Sequence, residues 1–196
     1  MQLKTVAIYA IAASFAVSSM SCQRQVTRID PSETKDISGS WNNSDSRMVA
    51  EEMIKDIVSQ NWLDKHVEQA GKPPVVIVGF VTNKSHEHIQ AETFMKDLER
   101  SFVTSQRIKL VQSGKKREEI RAERADQQTN SSQSTMKKFG LEVGADYMLQ
   151  GSINSIVDAH KKQKVVQYQV DLELTNLQTN EVVWIGDKKI AKYVKN

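Results

Sequence analysis

The sequence predicts an α+β domain with an α/β-like beginning: a mixed sheet of about four to five strands, closed by a C-terminal antiparallel meander and flanked by helices. Three observations predict it. Amphipathic helical periodicity brackets the short β-branched run VVIVGF at 75–80, so helix and strand alternate early in the chain. Strict alternation of apolar and polar residues in VVQYQVDLELT at 165–175 marks a strand with one wet face. Short polar turns, AHKKQK before it and NLQTNE after it, place antiparallel neighbours on both sides.

The elements follow in order. Ser44-Asp45 is a cap-like pair ahead of SRMVAEEMIKDIVSQNWL, where Val49, Met53 and Ile57, with Met48, Ile54 and Val58, recur at spacings of three and four. Asn42 and Asn43 supply further turn and capping groups. WLDKHVEQA adds another stretch of helix, which Gly71 stops by tolerating positive φ. Pro73-Pro74 punctuates, and VVIVGF reads as a strand buried on both faces. After the polar loop VTNKSHEH, Phe94, Leu98, Phe102 and Val103 mark a further amphipathic helix, and Ile108–Val111 a second strand. KKREEIRAERADQQTNSSQ reads as an exposed helix to Gln127 or Gln128, and STMKKFGLEVG as a shorter one closing at Gly140 or Gly144. Strands over Ala145–Val157, the alternating run and Val182–Lys189 complete the meander. Trp41 and Trp62 are expected to pack, each burying its indole body and finding a partner for the N–H.

The start of the chain reads as an export signal. Residues 1–21 carry one charge, Lys4, then an apolar core from Val6 to Val17 and the small residues Ser18–Ser21. That core, about twelve residues, falls short of the roughly twenty that span a bilayer as a helix. Cys22 follows it directly and is the only cysteine of the 196 residues, so no internal disulfide can form. The arrangement resembles a bacterial lipobox, in which cleavage occurs before a cysteine that carries a diacylglyceryl thioether and acyl chains such as palmitate. Ser21 fits the small residue before the cysteine, while Ser19 departs from the usual Leu or Val. Gln23 in place of an aspartate favours the outer membrane. Residues 22–37 then read as a lipidated flexible tether, and 38–196 as the globular domain. The polar QRQVTRIDPSETKDI would span about 50 Å stretched and roughly 20 Å as a coil.

Removal of residues 1–21 takes away one base and no acid, leaving 26 Lys plus Arg against 24 Asp plus Glu. Such a balance calls for no nucleic acid partner. His86-Glu87-His88 invites a zinc reading, but a third ligand is not evident nearby, and a loop of solvated histidines is the simpler expectation. Ser85 beside His86 lacks a nucleophile-elbow glycine pattern. Neither GxGxxG nor GxxxxGK[ST] occurs. The charged run Lys115–Asp126 interleaves both signs and reads as a helix laced with intrahelical pairs. The expectation is therefore a chain without catalytic residues, metal or cofactor.

In order along the chain, DISGSWNNSDSRMVAEEMI, PPVVIVGFVTNKSHEHI, EEIRAERADQQ, GADYMLQGSI, VQYQVDLELTNLQTNEVVW and IGDKKIAK resemble the LpoB family of outer-membrane lipoproteins. The VVIVGF and GAD-containing strands also resemble the TolB N-terminal domain and curli-secretion lipoproteins. The LpoB resemblance implies a lipid-tethered, periplasm-facing monomer, TolB N-terminal-domain-like in fold, that activates a bifunctional penicillin-binding protein, a peptidoglycan synthase. It implies no active site. Asn83, Ser85, His86, Glu87 and His88 in the loop after the first strand, with Arg121 and Arg124 on the charged helix, are the candidate partner-binding residues, and Cys22 the lipidation site. The short tether departs from the much longer one of the family's enteric members. The alternative is a structural or secretion-assembly lipoprotein related to curli-secretion components, for which a large ring would be expected instead of a monomer.

Overall fold

The computed structural model describes residues 26–30, 33, 35–132 and 142–195. The chain divides into two units, Met1–Thr34 and Lys35–Asn196. Of the first unit, residues 26–30 are exposed and lack regular structure. The signal segment and Cys22 lie outside the described residues, as does most of the expected helix STMKKFGLEVG; residues 142–145, at its end, carry no regular structure.

The second unit runs α1 (Asn43–Ser59), α2 (Asn61–Ala70), β1 (Val75–Asn83), α3 (Ala91–Ser105), β2 (Lys109–Leu110), α4 (Gly114–Asn130), β3 (Tyr147–His160), β4 (Gln163–Asn176) and β5 (Val182–Lys195). The five strands form one mixed sheet in the order β2-β1-β3-β4-β5. β1 pairs in parallel with β2 and β3, whereas β3, β4 and β5 form the antiparallel meander. The α+β expectation is thus met; β2 is shorter than the expected Ile108–Val111, and the other strands are longer than their sequence signals. β3 continues to His160 and β5 to Lys195, so the β3–β4 turn shrinks to Lys161-Lys162.

Local chemistry explains the helix ends. Asn42, not Ser44, is the N-cap of α1: its side chain accepts from the Ser44 and Asp45 amides at 2.9 and 3.1 Å. Asp45 returns the bond by accepting from the Asn42 amide at 2.9 Å, which completes a capping box. Gln60, in extended conformation, separates α1 from α2, and the Trp62 indole donates to the Ile57 carbonyl across the break at 2.7 Å. Gly71, at φ 64°, ends α2 with its amide on Val67 O, as expected.

α1 and α3 cover one face of the sheet. Val49, Ala50, Met53, Ile54 and Ile57 of α1 and Phe94, Leu98 and Phe102 of α3 meet Val76, Val78, Leu149, Ile153, Val166, Tyr168, Val170, Leu172, Leu174 and Trp184 in one core. Burying each large aliphatic or aromatic side chain contributes about 1.5–3 kcal/mol. Polar links reinforce this packing: Ser46 donates to Asp97 between α1 and α3 at 2.6 Å, and the Trp184 indole donates to Asp56 between β5 and α1 at 2.8 Å. Gly151 of β3 lies against the β4 backbone, where a Cβ would collide with the Asp171 carbonyl.

β1 departs from the doubly buried strand that its composition suggests. Val75–Val78 are buried, but a register shift between Val78 and Val81 throws Phe80 outward, leaving it 82% exposed. α4 buries none of its residues, in keeping with its charged sequence. No described helix is long and apolar enough to cross a membrane.

Candidate docking surface

The loop after β1 is organised around Glu87. Its carboxylate accepts from the Tyr168 hydroxyl at 2.7 Å on one oxygen and from the Trp41 amide at 3.0 Å on the other. His86 Nε2 stands 3.4 Å from the same carboxylate, and His86 Nδ1 is 2.6 Å from the Ser155 hydroxyl of β3. Burial pushes the Glu87 carboxyl up, but the Tyr168 hydroxyl, the Trp41 amide and His86 together outweigh it and hold the group below its ordinary value. Burial, then the hydrogen bond to Glu87 and its charge, push the Tyr168 phenol well above its ordinary value.

Asn83 closes the loop. Its oxygen accepts from the Ser85 amide and hydroxyl at 2.9 and 2.7 Å, and its amide nitrogen donates to Glu87 O at 2.8 Å. Asn83, Ser85 and Glu87 are therefore half-buried and spend their polar groups holding the loop, whereas His86 and His88 face solvent. Among the described residues no group of three His, Cys, Asp or Glu could hold a metal ion.

The residues before α1 form a strap over the same end of the sheet. Trp41 packs edge-on against Phe94 and Tyr168, at ring-centroid distances of 6.2 and 5.5 Å. Lys192 of β5 donates to Asp36 and Asp45 at 2.6 Å each and to Ser40 O at 3.1 Å. Burial lowers the affinity of the Lys192 amine for its proton, yet Asp36 and Asp45 more than offset that and raise its pKa. Gly39, at φ 73°, lies so close to Val194 that a Cβ would overlap that side chain. The sequence placed packing at Trp41 but could not show that the strap is tied to β5.

Arg121 and Arg124 are not part of this cluster. They project from α4, where Arg121 makes a bidentate pair with Glu142 at 2.9 and 3.0 Å and also reaches Glu118 at 2.8 Å. Arg124 stands 3.6 Å from Glu142. The hydrogen bond from Arg121 is the main cause that holds the Glu142 carboxyl below its ordinary value, and the Arg121 guanidinium is raised in turn. Besides the expected intrahelical pair, these arginines thus hold the chain as it comes back towards β3.

Sequence reading missed the sheet face opposite the helices. Phe80 and Ile185, the latter 73% exposed, stand there around a shallow groove lined by Lys84, Gln150, Asp171 and Glu173. Trp184 points into the core, so alternation alone puts Ile185 outside; that signal was available in VVWIGD.

Helices thus cover one sheet face, apolar side chains stand in water on the other, and a histidine-bearing loop is locked from beneath. The chain belongs to the family of the peptidoglycan-synthase activator LpoB, whose family model matches residues 45–190. Among solved structures it is similar to the LpoB C-terminal domain from Salmonella enterica, with 18% identity, 74% of this chain and 98% of that chain covered, and a TM-score of 0.43. The corresponding domain from Escherichia coli is 19% identical, with 76% and 99% covered and a TM-score of 0.43. A lipoprotein from Neisseria meningitidis is 11% identical over 62% of this chain and 84% of that one, with a TM-score of 0.41. No curated protein sequence matches the chain. Family membership rests on the family model.

Proposed function

We propose that the chain is a non-enzymatic lipoprotein, acylated at Cys22 and held at the outer membrane facing the periplasm, that binds a penicillin-binding protein as a monomer and activates peptidoglycan synthesis without a cofactor. The observation that supports this reading is the match of an activator family across residues 45–190; it favours activation over the secretion-assembly alternative. Activation follows if the domain binds an active conformer of the synthase better than an inactive one, because a ligand shifts an equilibrium only by its differential affinity. About 1.4 kcal/mol of difference suffices for a tenfold shift. His86 and His88 make the contact, on a loop shaped by Asn83, Ser85 and Glu87, with Arg121 and Arg124 as a second point.

Purified protein added to the penicillin-binding proteins of the same cell should raise glycan polymerisation by one of them. Absence of both binding and stimulation across the whole set would reject the reading. Mass spectrometry of native protein should find acyl mass at Cys22.

A further inference from the structure

The far end of the β3–β4 hairpin and the adjoining end of β5 carry a surface that the docking loop does not use. Strand register places Ile156, Val165 and Tyr193 on the sheet face opposite the helices: Tyr193 pairs with Val165, and Ile156 with Gln167. Ile156 is 69% and Tyr193 61% exposed. Around them stand Lys161 and Lys162 in the turn and Lys195 at the end of β5, whereas Lys164 alternates onto the helix side. No ion pair among the described residues engages Lys161, Lys162 or Lys195. Asp158, beside Val165, is the acid within this patch, while Asp187 further along the face is paired with Lys189 at 3.6 Å. The charges of Asp36 and Asp45 are held by Lys192 on the helix side.

Exposed aliphatics, a tyrosine and a surplus of unpaired lysines are the combination that seats a protein in the interface of an anionic bilayer: apolar groups enter the acyl boundary, the phenol sits at headgroup level and the ammonium groups meet lipid phosphates. Position supports the same occupant. The strap binds at this end of the sheet, through Asp36 and Ser40 on Lys192 and Gly39 against Val194, so the domain receives the preceding chain here. Under the proposed acylation at Cys22, the chain that leads to the lipid enters the domain at the end that carries the basic tip.

We infer that the hairpin tip, Ile156, Val165 and Tyr193 with Lys161, Lys162 and Lys195, is a peripheral membrane contact that docks the folded domain on anionic phospholipid headgroups. Its binding chemistry is independent of synthase activation and of acylation at Cys22. The experiment therefore uses the chain from residue 22 onward with Cys22→Ala, which can carry no lipid. Sedimentation with vesicles of phosphatidylglycerol in phosphatidylcholine is compared with vesicles of phosphatidylcholine alone. The expected result is pelleting with the anionic vesicles that weakens with added salt and falls about fivefold for each lysine neutralised. Lys161→Asn with Lys162→Gln tests the charges, asparagine being able to keep the left-handed backbone at position 161, where φ is 54°. Tyr193→Ser tests the apolar contribution, and circular dichroism verifies that the variants are folded. Equal partition between the two vesicle types, or folded tip variants that pellet like the parent, would overturn the inference, as would pelleting with insoluble peptidoglycan but not with vesicles. Anionic-vesicle binding by a protein that stimulates no synthase would uphold it while rejecting the proposed activation.

Discussion

Tyr168 and Glu87, 81 residues apart, are joined by a hydroxyl-to-carboxylate hydrogen bond of 2.7 Å that fixes the loop after β1 to the middle of the sheet. That bond ties the loop to the sheet through a buried phenol, and it makes the anchoring of the loop sensitive to charge.

Glu87→Gln is expected to cost about 1–3 kcal/mol at neutral pH, since a charged acceptor with two strong donors becomes a neutral amide. Because the folded-state pKa of Glu87 is lowered, its stabilisation is present above the unfolded carboxylate value, near 4.3, and is lost as pH falls through the folded value. Denaturant titrations of parent and variant should therefore differ at neutral pH and converge in acid.

Alkaline difference spectroscopy should show tyrosines that titrate late. Burial raises both Tyr168 and Tyr147, with the Glu87 hydrogen bond and charge adding at Tyr168 and the Asp146 charge at Tyr147. Glu87→Gln should bring part of that late absorbance change to lower pH.

Lys192→Met removes the cation between Asp36 and Asp45 from a site where Lys192 is 9% and Asp45 8% exposed. An unpaired carboxylate would remain there, and the expected loss is about 3–5 kcal/mol. Proteolysis should then cut within residues 36–42 earlier than in the parent. The raised amine pKa makes the parent's interaction fully present below the unfolded lysine value, near 10.4, and lost as pH rises through the folded value. Alkaline melting should narrow the gap between the two proteins.

Gly151→Ala introduces a methyl group against the Asp171 carbonyl in adjacent strands. Neither backbone can yield without disturbing the β3–β4 ladder, so a loss of about 1–3 kcal/mol is expected. A lowered Tm with unchanged far-ultraviolet dichroism at low temperature would verify it.

His88→Ala should leave Tm unchanged, because the side chain is exposed, yet weaken synthase binding about fivefold if it contributes a contact worth roughly 1 kcal/mol. Asn83→Ala should change both, since it first dismantles the loop. Binding and melting measured on the same preparations separate contact from scaffold.

The elements most legible in the sequence are those whose environment is periodic. Val166, Tyr168, Val170, Leu172 and Leu174 alternate with polar residues, and the sheet places them on the helix-covered face with the polar set outside. Val49, Met53 and Ile57 likewise mark the buried stripe of α1, and Phe94, Leu98 and Phe102 that of α3. The β1 bulge was not legible, because VVIVGF reads as uniformly apolar whether Phe80 points in or out. Strand lengths were underread at the hairpin tip, where His160, Lys161, Lys162 and Gln163 look like a long polar turn but cross-strand pairing continues through His160 and Gln163.

The candidate loop illustrates the boundary. Its polarity and place after a strand mark Asn83–His88 as surface, and that much the amino-acid sequence determined by itself, along with the helix and strand periods, the lone cysteine and the near-balanced charge. Which of those residues are consumed internally and which face solvent was decided by tertiary structure alone. The partners of Glu87 and His86 are Trp41, Ser155 and Tyr168, 46, 69 and 81 residues away. Local periodicity reports only on the burial of a segment's own faces, whereas a hydrogen bond across such separations exists only once chain folding has brought donor and acceptor within 3 Å.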